Sequence, residues 1–334
     1  MEYKVFELKN KNGMKVKVTD LGANVMEIWA PDRDGNLQDV VMGFDTPEEY
    51  KVNSCFFGAC IGRMANRIND AKFTLDGKEY SLPVNDGKNN LHTDADKGFH
   101  KMLWESRQDG NSVEFSFTSP DGDGGFPGKL DMKVTYTLTD ENGLIIHYEG
   151  VSDKKTLINC TNHSYFNLSG DLTSSIHDHE LKLYSHQYTP VVAGAIPTGE
   201  ITKVEGTVFD FTDFREVGKS IDDKEEQLTL VQGYDHNFVL DNLTGTYAKA
   251  AEVKCARSGR KMEVYTDLPC IQFYAGNCIS PQTGKGGVKY DKRQALCLET
   301  QYAPDAINQP GFEKPIFDAG QKYDTKTEYR FSTF

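Results

Sequence analysis

Leu130-Asp-Met-Lys-Val-Thr-Tyr-Thr-Leu138 alternates apolar and polar side chains from end to end. A period of two belongs to a strand whose faces meet different surroundings, one a core and the other water. Val113, Phe115 and Phe117 repeat the pattern, as do Met14, Val16 and Val18. Denser apolar runs at Leu144–Ile146, Val25–Trp29 and Cys270–Tyr274 predict strands covered on both faces.

Asn12-Gly13, Asp34-Gly35, Asp76-Gly77, Asp86-Gly87, Asp109-Gly110, Asp121-Gly122 and Asn142-Gly143 punctuate these runs. Such pairs tolerate the positive φ angles of tight hairpins. Short helices are expected only around Thr46–Asn53 and Thr212–Val217. Without βαβ alternation, the fold class is all-β: a large antiparallel β-sandwich. The length of 334 residues alone suggests two domains, but no linker or change of composition divides the chain. Residues 1–334 are therefore expected to form a single sandwich domain.

Charge and cysteine content narrow the function. The 37 Lys and Arg against 50 Asp and Glu leave a net charge of −13, with no basic stripe. That argues against nucleic acid or an anionic membrane as partner. The start MEYKVFELKN lacks a signal-peptide core, and no run approaches the ~18 apolar residues of a membrane span. A soluble, cytoplasmic protein is expected. The seven cysteines lack Cys-x-x-Cys spacing, so they are expected to be reduced packing residues. Asp121–Gly125 resembles part of a calcium loop without its later acidic ligands and is expected to be a hairpin tip.

Four stretches carry groups that a sandwich core does not require. Gly62-Arg-Met-Ala-Asn-Arg-Ile68 offers two guanidinium forks and an amide, suited to hydroxyls or carboxylates or to an internal ion pair. Asn89-Asn-Leu-His-Thr-Asp94 places His92 in a polar loop. In Thr161-Asn-His-Ser-Tyr-Phe-Asn-Leu168, a continuing strand would set His163 and Tyr165 on one face with Asn167 beside them. Leu296-Cys-Leu-Glu-Thr-Gln-Tyr302 puts Glu299 after an apolar run, where a carboxylate is costly unless used or paired. Gly233–Phe238 and Ile271–Asn277 add polar and aromatic groups. His177 and His179 lack a third metal ligand and are expected to be loop histidines. Asn, Asp, Arg and Gln beside aromatic rings suit a hydroxyl-rich ligand, and phosphate-loop, dinucleotide and serine-elbow motifs are missing.

GRMANRI, NNLH, TNHSYFNLSG, GYDHN, IQFYAGN and CLETQYAPDAINQP occur in this order between residues 62 and 310. Together they resemble the aldose 1-epimerase, or galactose mutarotase, family. The resemblance implies a galactose mutarotase-like supersandwich that interconverts α and β anomers of free aldohexoses such as D-galactose and D-glucose. It implies His163 as the acid at the ring oxygen, Glu299 as the base at the anomeric hydroxyl, and His92 as a second histidine near the ring oxygen. Asn66, Arg67, Tyr165, Asp235 and Gln272 match sugar-binding positions. No cofactor or metal is called for, the partner is a small sugar, and the chain is expected to be a monomer or homodimer.

The chemistry stands without the resemblance. A cyclic hemiacetal opens when O1 loses a proton while the ring oxygen gains one, which a base and an acid can perform together. Reference pKa values of ~4.3 for Glu and ~6.5 for His suit those roles near neutral pH. Thr93 and Asp94 stand where the family often has glycines, predicting added bulk and charge beside the sugar. Cys270 and Met64 are smaller departures. A hexose-phosphate mutarotase, with Arg63 and Arg67 as phosphate ligands, and a non-catalytic sugar-binding protein are the alternatives.

Overall fold

A computed structural model describes residues 2–334. The Leu130–Leu138 strand lies in a nine-stranded antiparallel sheet. Its order is Glu105–Asp109, Ser112–Ser119, Leu130–Leu138, Gly143–Ser152, Lys322–Thr333, Arg260–Thr266, Ala248–Cys255, His179–Leu183 and Arg215–Glu216. The alternation does what the sequence predicts: Leu130, Met132, Val134, Tyr136 and Leu138 are buried while Asp131 and Lys133 are exposed. Register sets Phe115, Val134 and Tyr148 side by side on the buried face. Asn142 takes the left-handed conformation at φ 61° in the turn back to Gly143.

Two smaller sheets complete the layers. One runs Val5–Lys9, Lys15–Thr19, Val25–Pro31 and Leu37–Asp39. The other has the order Thr202–Lys203, Gln187–Thr189, Asp235–Val239, Cys270–Tyr274 and Cys297–Gln301. One apolar cluster joins all three sheets through residues such as Val16, Ile28, Val134, Ile146, Phe273 and Leu298. Buried hydroxyls tie the layers as well: Tyr136 donates to the Ala23 carbonyl at 2.7 Å, and Tyr329 to the Leu298 carbonyl at 2.9 Å.

Helix is scarce. The turn expected at Thr46–Asn53 is a 3₁₀ helix over Pro47–Val52, with the Thr46 N–H donating to Glu49. At Thr212–Val217 the expected helix is replaced by strand. Arg215 and Glu216 pair with Leu181 and Glu180 as a sheet edge, because Thr212 has already closed a turn on the Asp210 carboxylate. The α-helix, unanticipated, is Glu226–Val231, capped by the Glu225 carboxylate at the Leu228 N–H. Every residue of Cys270–Tyr274 is buried as expected, whereas Glu27, Trp29 and Ile145 remain partly accessible in the other dense runs. Among the described residues no helix is long and apolar enough to cross a membrane.

Candidate active site

The five-stranded sheet works with both faces. Phe238, Ile271, Phe273 and Leu298 point into the apolar core. The alternate residues, Asp235, Asn237, Gln272, Tyr274, Cys297, Glu299 and Gln301, therefore share the opposite face. Register aligns Asn237 with Gln272 and Gln272 with Glu299 across three strands. This polar face is the floor of a cavity of about 170 Å³ lined by Asn66, Arg67, His92, His163, Tyr165, Asp235, Tyr274 and Glu299, with Phe56, Cys55 and Cys278 at its sides.

The walls come from two short pairings. Thr161–His163 pairs with Ala59–Ile61 and delivers His163, whose ring stacks on Tyr165 with centroids 5.0 Å apart. Arg67–Ile68 pairs with Asn90–Leu91, which brings His92 against Asn66. There the Asn66 N–H donates to His92 Nδ1 at 3.1 Å and the His92 N–H donates to the Asn66 carbonyl at 3.0 Å. With Nδ1 accepting, the neutral imidazole carries its proton on Nε2, and His92 is a hydrogen-bond donor. Phe56, Asn66 and His92 all adopt positive φ, at 61°, 61° and 54°. Three strained residues around one cavity are typical of a site held in shape by its surroundings.

The chemical centre is the pair His163 and Glu299. Nε2 of the imidazole lies 3.6 Å from Oε1 of the carboxyl, beyond direct hydrogen bonding, and Glu299 Oε2 has no partner. Both side chains are buried, and burial disfavours each charged form. His163 is pushed down to about 4 by burial. Burial raises Glu299 well above the usual carboxylate range, with Asp235 adding and Arg67 opposing. These shifts replace the reference values that the sequence alone supplies. Across the intervening range the pair holds one proton, on either partner, at zero net charge.

Around it, Arg67 Nε donates to Asp86 at 2.7 Å, and its guanidinium stands 3.9 Å from Asp235. Burial opposes the Arg67 charge, but Asp235 and Asp86 more than offset it. Burial raises Asp235, against the pull of Arg67 and the Gln272 Nε2 hydrogen bond at 2.7 Å. His92, His163 and Glu299 bring possible ligand atoms within 4.8 Å of one another. As a metal set they fit poorly, since the lone pair on His92 Nδ1 already faces the Asn66 N–H.

Every sequence-predicted site residue except Gln272 lines this cavity, and Gln272 lies beneath it, bonded to Asp235. Other expectations are corrected. Arg63 is fully buried elsewhere, donating to Ser119 and to the carbonyls of Ser119, Pro120 and Pro127; carbonyls hold it, and no sugar or ion pair does. Asn167 turns away and donates to the carbonyls of Ser174 and Gln294. The Thr93 hydroxyl accepts from the Met64 N–H and Asp94 accepts from Asp96 and Lys97, so neither lines the cavity. His179 is buried at the head of a strand, with Nε2 accepting from Leu168. All seven cysteines are free; Cys55, half-buried at the cavity, packs against the apolar cluster of Phe57 and Tyr290, whereas Cys278 is exposed and departs from the packing expectation. Tyr274, Phe56 and Asp86 were missed. Tyr274 was legible from its period-two spacing with Gln272; the contacts of the other two arise from turns far apart in sequence. A larger cleft of about 590 Å³ lies between Phe117, Met132 and Val151, but its Lys133 and Lys322 pair with surface carboxylates and no histidine lines it.

An antiparallel sandwich that sets a carboxyl on its sheet floor against a buried imidazole from the cavity wall, ringed by amides and a guanidinium, defines a class of acid–base proteins for polyhydroxylated ligands. The model of the family described as aldose 1-epimerase matches residues 4–330. Galactose mutarotase of Bos taurus is 44% identical over 330 residues, covering 98% of this chain and 93% of its own. Aldose 1-epimerase of Escherichia coli is 37% identical over 332 residues, covering 98% and 95%. The solved structure of an aldose epimerase homologue from C. elegans has a TM-score of 0.92 at 32% identity, covering 99% of each chain. The chain belongs to the aldose 1-epimerase family.

Proposed function

We propose that this protein is an aldose 1-epimerase that interconverts the α and β anomers of free aldohexoses such as D-galactose and D-glucose. The observation that carries this reading is the His163–Glu299 pair, 3.6 Å apart in a cavity ringed by hydroxyl-binding groups. O1 and the ring oxygen share the anomeric carbon, so the groups that serve them must lie side by side.

The proton balance closes on the pair alone. In the imidazolium–carboxylate form, His163 gives its proton to the ring oxygen while Glu299 takes one from the O1 hydroxyl. The C1–O5 bond breaks and the open-chain aldehyde forms. The pair is now a neutral imidazole and a carboxylic acid, still with one proton. After rotation about C1–C2 the opposite carbonyl face is presented. Glu299 then protonates O1, His163 removes the proton from the former ring oxygen, and the C–O bond re-forms as the other anomer. Burial favours the neutral imidazole–carboxylic acid form, so the imidazolium–carboxylate form is the higher in energy of the two one-proton forms through which this cycle passes. His92 Nε2–H donates toward the ring oxygen, and Asn66, Arg67, Tyr165, Asp235 and Gln272 serve binding.

Arg67 is the only cationic side chain among the described residues lining the cavity besides the histidines, and two carboxylates already engage it. That favours an uncharged sugar over a hexose phosphate, and the joint presence of acid and base favours an enzyme over a binding module. Polarimetry separates these readings. Freshly dissolved α-D-glucose or α-D-galactose should reach equilibrium rotation much faster with catalytic protein than in buffer, and glucose 6-phosphate should not. A faster drift with the phosphate would overturn the substrate assignment.

Residues 1–334 are read as one unit, supported by a core cluster running from Leu8 to Phe331. A cytoplasmic location is in keeping with seven unpaired thiols. A net charge of −13 suits a partner that is neither nucleic acid nor membrane, and a monomer or homodimer is expected.

A further inference from the structure

Beneath the cavity lies a chain of side-chain amides whose polarity is set from both ends. The Arg67 backbone N–H donates to Asn66 Oδ1 at 2.9 Å. Asn66 Nδ2 donates to Gln301 Oε1 at 3.3 Å, and Gln301 Nε2 donates to Gln272 Oε1 at 3.1 Å. Gln272 Nε2 ends the chain on Asp235 Oδ1 at 2.7 Å. A backbone N–H can only donate and a carboxylate accepts, so the two ends dictate one direction throughout. Gln301 has no surface exposure, does not line the cavity, and spends its second amide hydrogen on Asn237 Oδ1 at 2.9 Å.

We propose that Gln301 is a positioning residue for sugar binding: its amide fixes the orientation of Gln272 and Asn66 and, through Gln272, which oxygen of Asp235 is left for the sugar. The proposal rests on the sugar-binding roles given above to Asn66, Asp235 and Gln272. An amide can be turned over at little steric cost, so without Gln301 the Gln272 carbonyl is free to swing toward Asp235. Two acceptors would then face each other, and the carboxylate would leave its place beside Arg67. Glu299 lies two residues away on the same strand face and His163 on another strand, neither with a hydrogen bond to Gln301, so binding should suffer and the chemical step should not.

Gln301→Met keeps the length of the side chain and removes both polar functions. Gln301→Asn keeps the amide but falls one methylene short, and serves if the Met variant does not fold. Either variant should raise KM on the order of tenfold, the size of one or two lost hydrogen bonds, with kcat within about threefold of the parent. In a Gln272→Met background, Gln301→Met should add less than it costs alone, because the link to Asp235 is already cut and only the Asn66 link remains to be lost. An unchanged KM, a loss confined to kcat, or independent addition of the two effects would overturn the relay. Calorimetric affinity for D-galactose separates the two levels. An active parent with unaltered affinity in the variants rejects Gln301 alone, whereas a parent that neither binds nor turns over sugar rejects the function it rests on.

Discussion

At the scale of single residues, the cavity changes what His163 and Glu299 are. In water one would be half-protonated near neutrality and the other ionised. Burial lowers the first to about 4 and raises the second well above the usual carboxylate range. The sign follows directly. As pH falls through about 4, the imidazole takes up a second proton while the carboxyl is already protonated, and the pair loses its base. Above that point one proton remains and the cycle can run. After subtraction of the buffer rate, kcat/KM should show no acid limb centred near 6.5 and should fall as pH 4 is approached. A decline centred near 6.5 would show an ordinary imidazole and contradict the burial argument. The residue types of this pair were legible in the sequence, as a carboxylate after an apolar run and a histidine among aromatics. Their altered pKa values were not, because burial comes from segments far apart along the chain, such as Phe56 and Tyr274, whose rings pack on His163.

At the scale of elements, the site depends on short pairings that bring loops onto a sheet floor. The apolar run Cys270–Tyr274 reads as a strand covered on both faces, and Glu299 stands out as a costly carboxylate after another such run. The sequence pattern could not tell which strands are neighbours. Nor could it find the arrival of Ala59–Ile61 beside Thr161–His163, a pairing of three residues on each side. That pairing hinges on Gly58, at φ 62°, where an added Cβ would lie 1.8 Å from the Val25 carbonyl oxygen. The Gly58 N–H donates to the His163 carbonyl and its own carbonyl accepts from the Val25 N–H. Gly58→Ala should therefore destabilise the fold by about 2 kcal/mol or more, through a backbone clash and a left-handed alanine. It should also lower activity in the protein that remains folded. Denaturant unfolding checks the first effect, and an unchanged midpoint would show that the strand can shift at no cost. The missed helix at Glu226–Val231 has a related cause: six residues are too few for a clear 3.6 period, and its cap is a glutamate instead of a more usual Ser, Thr or Asp.

At the scale of the whole molecule, the nine-stranded sheet, which the alternation at Leu130–Leu138 announced, serves the site from a distance. It covers the apolar side of the five-stranded sheet, so that sheet's other face is free to carry Asp235, Asn237, Gln272, Glu299 and Gln301. Composition placed few limits on the reaction; the net charge of −13 is compatible with a neutral sugar and says nothing of its identity. Joining residue 66 to residue 301 and residue 163 to residue 299 required the fold. The central claim is that one proton shared by His163 and Glu299 drives ring opening and closure, and polarimetry of fresh α-D-galactose combined with calorimetry tests it most directly. The parent protein should abolish most of the slow drift in rotation. Glu299→Gln, which removes the proton acceptor while keeping the shape, should bind galactose with similar affinity yet lose roughly 10²-fold or more of the rate, the usual share of a general base. A Glu299→Gln variant that equilibrates the anomers as fast as the parent would contradict the account.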